Sequence, residues 1–175
     1  MQQTFNEQNR DLLINIDGRM VHRDEAGISP FDSLVQGGDG AWEGLRLYEG
    51  RIFKLTEHLD RLRSSALAMA FESIPSHEQI TSEITRTLEA NSMRDGVHIR
   101  LTLSRGLKIT SGMDPRLNQA GPTLIVLAEQ QTAGRGRRGR PWSSPYAQNI
   151  YLSIVEPVSG GAHGLEGLSL LVGLC

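Results

Sequence analysis

The sequence predicts an α+β fold: a small twisted β-sheet flanked by two helices, with a short β-containing C-terminal fragment behind it. Three observations lead there. Segments 55–71 and 76–91 carry apolar residues at helical spacing. Segments 12–22, 41–54, 96–106 and 123–129 read as strands. After Glu129 the texture changes abruptly to an Arg/Gly-rich loop.

The elements follow in order. "LLINIDGRMVH" (12–22) is two strands around Asp17-Gly18, a pair that supplies the positive φ angles of a tight hairpin. "GISPFDSLVQGGDG" (27–40) is a loop with one helical turn at 31–36. "AWEGLRLYEGRIFK" (41–54) is two strands around Glu49-Gly50, and Gly44 marks a bulge or a close approach. In "LTEHLDRLRSSALAMAF" (55–71), Leu55, Leu59, Leu62 and Ala66 form one stripe, with Thr56 expected as N-cap. His58, Arg61 and Ser65 form a polar stripe expected opposite the leucines. "SHEQITSEITRTLEAN" (76–91) opens on the capping-box pair Ser76 and Gln79, and Ile80, Ile84 and Leu88 are its apolar face. "GVHIRLTLSRG" alternates as a strand, 106–122 is a polar loop, and "TLIVLAE" is a buried strand.

Composition excludes several classes. At 38% apolar and 22% charged, the 175 residues can form a core. A net charge of −2 gives no pull toward nucleic acid or anionic membranes, so neither is expected as a partner. The N-terminus is polar and the stretch "LEGLSLLVGLC" is too short to span a bilayer. Cys175 is the one cysteine, which suits a cytoplasmic protein and permits no internal disulfide. No metal site is expected. Of the eighteen basic residues only Lys54 and Lys108 are lysines.

The ordered pieces "GDGAWEGLRLYEG", "RIFKLTEHLDRLRSSA", "HIRLTLSRG" and "PTLIVLAE" resemble the class IV aminotransferases, the fold-type-IV pyridoxal-phosphate enzymes, over residues 12–129. The most specific part is H-x-x-R-L on a helix just after a G-x-aromatic-E-G-x-R strand. The resemblance implies amino transfer between a small or branched-chain amino acid and a 2-oxo acid, with pyridoxal 5'-phosphate as cofactor. It assigns Arg61 to the cofactor phosphate, a role that suits a guanidinium held on a rigid helix. It places Trp42, Gly44 and Arg46 on the substrate-pocket strand and Arg100 at the substrate carboxylate. A homodimer is left open as the assembly. The chemistry also needs a lysine amine that holds the cofactor covalently and moves the proton. In the family this lysine lies beyond the strand resembling 123–129, where this chain has none. Lys54 and Lys108 are not promoted to that role, so no catalytic residue is assigned and the chain alone is expected to be inactive.

The loop "TAGRGRRGRP" (132–141) satisfies G-x-G-x-x-G, but Pro141 and Pro145 follow and argue against the helix that a dinucleotide fold requires. A disordered nucleic-acid tail is disfavoured by the core-like strand "NIYLSIV" (149–155). The string "AEQQTAGRGRRGRPWSSPYAQNIYLSI" resembles biotin protein ligases, the alternative function, with biotin and ATP as ligands. That resemblance assigns Gln131, Arg135, Gly136 and Arg137 to biotin and the adenylate, with Trp142 packing nearby. The expected organisation is therefore residues 1–129 as an aminotransferase N-terminal domain and 130–175 as a ligase-like fragment, joined at a seam near 127–130. The chain stops inside an apolar helix, as if cut. The fragment is expected to dock loosely on the front domain or to invite association through exposed apolar surface. A non-catalytic interaction domain is the second alternative.

Overall fold

The computed structural model describes residues 5–131. Six antiparallel strands form one sheet: β1 (Leu13–Ile16), β2 (Arg19–His22), β3 (Gly40–Tyr48), β4 (Arg51–Ile52), β5 (Val97–Ser104) and β6 (Thr123–Gln130). Their order across the sheet is β2-β1-β6-β5-β3-β4. Among the described residues three α-helices accompany them: α1 (Ser33–Gly37), α2 (Leu55–Ala68) and α3 (His77–Ala90). The α+β expectation therefore holds, and each strand and helix expected up to residue 131 has its counterpart.

The core follows from two periodicities. Along β3, Ala41, Leu45 and Leu47 are buried on one parity, and Val97, Ile99, Leu101 and Leu103 repeat this along β5. Leu59, Leu62 and Ala66 of α2 and Ile80 and Ile84 of α3 bring helical stripes onto the same apolar face. Both helices thus cover one side of the sheet. The other side carries Trp42, Arg46, His98, Arg100, Leu127 and Glu129, none of them fully buried.

Local chemistry sets the turns and helix ends. Asp17 (φ 53) and Gly18 (φ 81) make the tight hairpin turn. Ser76 Oγ accepts from Gln79 N at 3.2 Å, and Gln79 Oε1 accepts from Ser76 N at 2.8 Å, completing the capping box. Helix α2 starts differently from expectation. Lys54 is its N-cap in the left-handed region, without a side-chain bond, so Thr56 lies within the first turn. The chain arrives from β4 and turns at Lys54 (φ 50), which starts the helix before a threonine cap can act. Helix α2 ends at Ala68, not 71. Ala70 (φ 56) turns the chain and Phe71 N reaches back to Ala66 O at 3.0 Å. Gly44 causes no bulge, because the β3–β5 register is unbroken from Gly40 to Leu47.

Polar side chains tie the β1–β2 hairpin to α3. Asn15 is 1% exposed and donates to Glu83 Oε2 at 2.7 Å and to Glu83 O at 3.3 Å. Asn91 brackets Leu13 like a paired strand residue: its Oδ1 accepts from Leu13 N and its Nδ2 donates to Leu13 O, both at 2.8 Å. Arg105 holds the C-terminal end of α2. It donates to Met69 O at 2.6 Å and Ala70 O at 2.9 Å while paired with Asp39.

Two stability outcomes follow. Ser76→Ala removes the cap and should lower stability by about 1 kcal/mol. Ala70→Gly relieves a left-handed alanine and should raise it by about 1 kcal/mol. Chemical denaturation of each variant checks both signs.

Candidate functional site

Glu43 occupies a core-facing position of β3, between Ala41 and Leu45, and is 4% exposed. A carboxylate there is costly unless a cation and hydrogen bonds meet it. Helix α2 supplies both one turn in. Arg61 Nε donates to Glu43 Oε1 at 2.6 Å and Arg61 Nη2 bonds Glu43 Oε2. His58 Nδ1 lies 2.8 Å from the same Oε2 and 3.1 Å from Arg61 Nη2. The polar stripe of α2 is therefore turned partly onto the sheet, not opposite the leucines, because a buried acid draws it in.

Burial pushes the Glu43 carboxyl up, but the hydrogen bonds and charges of Arg61 and His58 outweigh it and hold the group below its ordinary value of 4.5. The hydrogen bond to Glu43 raises Arg61 in turn, more than burial lowers it. The Arg61 side chain remains 61% exposed. Its Nε–Nη2 fork is occupied by Glu43. Nη1 takes no part in these bonds.

Trp42, Gly44 and Arg46 alternate to the opposite face of β3, next to Thr102, Arg100 and His98 of β5. The Arg100 guanidinium stacks 3.5 Å from the Trp42 ring centroid, and Trp42 is 57% exposed. Arg46 Nη1 donates to Gln131 Oε1 at 2.6 Å. A Cβ at Gly44 would come within 3.3 Å of His98 Nε2, so the glycine gives the imidazole its room. Arg46, His98 and Glu129 stand side by side across three strands. Burial lowers the His98 pKa from 6.5, Arg46 and Arg100 add to this, and Glu129 opposes it. The ring is therefore neutral at neutral pH.

The structure thus divides the predicted site residues. Arg61 stands on the helix side of β3, and Trp42, Gly44, Arg46 and Arg100 stand on the other. The pairing of β4 reaches only Leu47 and Tyr48, and Phe53 N donates to Arg46 O at 2.9 Å, so among the described residues no strand pairs the outer edge of β3 from 40 to 45. Gln131 is tied to the front domain, through Arg46 and through its N–H to Gly96 O at 2.9 Å. Arg135, Gly136 and Arg137 lie outside the described residues, as do Trp142 and the strand expected at 149–155. Sequence reading missed Glu43 and His98. Glu43 was detectable as the one acid among the odd-numbered, apolar positions 41–47. His98 had no signal beyond its place in an alternating strand.

Each of the two lysines has a polar partner of its own. Lys108 is 6% exposed and donates to Gly112 O at 2.6 Å. Lys54 pairs with Glu57 at 3.6 Å at the start of α2.

The chain matches the family described as "Amino-transferase class IV" over residues 40–152, and it belongs to that family. It is 56% identical over 122 residues to "Branched-chain-amino-acid aminotransferase-like protein 2" of Arabidopsis thaliana, covering 70% of this chain and 22% of that one. The branched-chain amino acid aminotransferase of Escherichia coli superposes with a TM-score of 0.61 at 22% identity, over 73% of this chain and 42% of that one. The T.th. branched-chain amino acid aminotransferase complexed with N-(5'-phosphopyridoxyl)-L-glutamate gives 0.59 at 28% identity, over 67% and 40%. The chain therefore spans well under half the length of each of these relatives. The family match continues to residue 152, past the seam expected near 127–130.

Two titrations check the electrostatics. Because the folded-state pKa of Glu43 is depressed, its stabilising contribution is present above the ordinary value of 4.5 and is lost as pH falls through the folded value. Glu43→Gln should therefore show a smaller loss of Tm than the parent chain between about pH 6 and about pH 3. The proton resonances of the His98 ring should titrate with a midpoint below 6.5. The unfolded state takes up that proton first, so His98 favours the fold less as pH falls below 6.5.

Proposed function

We propose that the chain supplies the phosphate-binding side, and part of the substrate side, of a pyridoxal-phosphate aminotransferase acting on branched-chain or small amino acids and their 2-oxo acids. The observation that carries this reading is Arg61 itself. It is fixed on α2 by the buried Glu43, and its side chain stays largely exposed with Nη1 uncommitted to that pairing. That arrangement suits an anionic group and fits the phosphate end of the cofactor. The family match and the phosphopyridoxyl ligand named for the T.th. relative support it.

When bound, pyridoxal phosphate supplies an electron sink for bonds to the substrate α-carbon. This chain's residues divide the remaining work. Arg61 binds and orients the phosphate. Arg100, backed by the Trp42 ring, and Arg46, held by Gln131, offer positive charge to a substrate carboxylate. Gly44 lets the His98 ring lie close against β3 between these two arginines. A ligand that meets both sets crosses the open edge of β3. The residues fit the phosphate end of the cofactor but not its carbonyl end, since Lys54 and Lys108 are held in other contacts.

Binding of pyridoxal phosphate to the full chain, followed by absorbance and then borohydride reduction, tests this reading. Reversible binding that weakens about tenfold or more in Arg61→Ala is expected. No covalent label should remain after reduction. A label on Lys54 or Lys108, or equal binding by Arg61→Ala, would overturn it.

A further inference from the structure

We infer that Glu43 is a positioning residue for the anion grip of Arg61: a buried carboxylate that sets which edge of the guanidinium a phosphate meets. The inference rests on the reading of Arg61 as a phosphate ligand and deepens it.

The geometry leaves Arg61 little choice. Arginine carries five N–H donors in a rigid plane. Glu43 takes one from Nε and one from Nη2, on the fork that carboxylates and phosphates both prefer. Glu43 is itself fixed, because it sits in the middle of β3, 4% exposed, with Leu101 opposite it on β5. His58 Nδ1 contacts the same carboxylate oxygen and stands beside Nη2, which closes the inner side of the group. An incoming phosphate is left with Nη1, the one guanidinium nitrogen outside these contacts. The guanidinium plane cannot rotate toward a better fork without breaking two charge-assisted bonds to a buried acid.

Charge alone predicts the opposite of orientation. Removing the Glu43 negative charge makes the site more positive, so on electrostatics alone Glu43→Gln would bind phosphate more tightly. If orientation dominates, the freed guanidinium loses its fixed direction and the same variant binds more weakly. A merely structural Glu43 would lower the melting temperature and leave the affinity of the folded fraction unchanged.

The test uses 15N-labelled full chain titrated with inorganic phosphate, with arginine side-chain resonances followed by NMR and Arg61 assigned from Arg61→Ala. In the parent chain the Arg61 Nε–H should be protected from exchange, and phosphate should shift Nη1 more than Nε. Arg61→Ala should lose the response, and folded Glu43→Gln should bind about threefold to tenfold more weakly. Tighter or unchanged binding by Glu43→Gln, with Arg61→Ala inactive, overturns the positioning role while the phosphate reading stands. Unchanged binding by Arg61→Ala overturns both. If Glu43→Gln does not fold, the parent chain decides alone. A protected Nε that keeps its shift on saturation supports the inference, and an Nε that moves with Nη1 overturns it.

Discussion

A carboxylate set into an apolar layer must be answered by a cation, and in this molecule that requirement joins the sheet to its first long helix. Glu43 points from the middle of β3 into the side covered by α2, where its same-face neighbours along the strand are alanine and leucine. Left unpaired it would cost several kcal/mol. Arg61 and His58 lie three residues apart on α2, the spacing that puts two side chains on one face. The pairing fixes the rotation of α2 about its axis, because only one rotation brings both residues to Glu43 while Leu59 and Leu62 enter the core.

The sheet then acts as a partition. Period-two alternation sends Glu43 to one side of β3 and Trp42, Gly44 and Arg46 to the other. Positive charge therefore appears on both faces of one strand, backed on one face by a buried acid and on the other by an aromatic ring and an amide. Each arginine has a partner that holds its direction without removing its charge from solvent.

Much of the fold was legible in the sequence. The Asp17-Gly18 turn, the Ser76–Gln79 box and the stripes of α2 and α3 depend on neighbours within a few residues, and local pattern captures them. The start of α2 was misread because the chain's approach from β4 sets it, and a threonine at the second position looks like a cap to any local rule. The site was legible only in part. Arg61 could be singled out, but its partner could not be matched to it, because Glu43 is eighteen positions away and the contact exists only when β3 lies under α2. Likewise the separation of Arg61 from Arg46 and Arg100 is a property of strand parity and packing together. The resemblance groups these residues, and the sheet divides them.

The β1–β2 hairpin is joined to the rest of the sheet by a short run of pairing, Asn15 with Val126 and Ile16 with Ile125. The Asp17 N–H adds a bond to Leu124 O at 2.8 Å, and side chains of α3 and its C-cap hold the hairpin as well: Glu83 to Asn15, Asn91 to Leu13, and Arg86 to Gly18. The hairpin and this helix consequently share one fate. Loosening α3 removes three side-chain anchors of the hairpin and leaves it only its short pairing with β6, so the two elements stabilise each other.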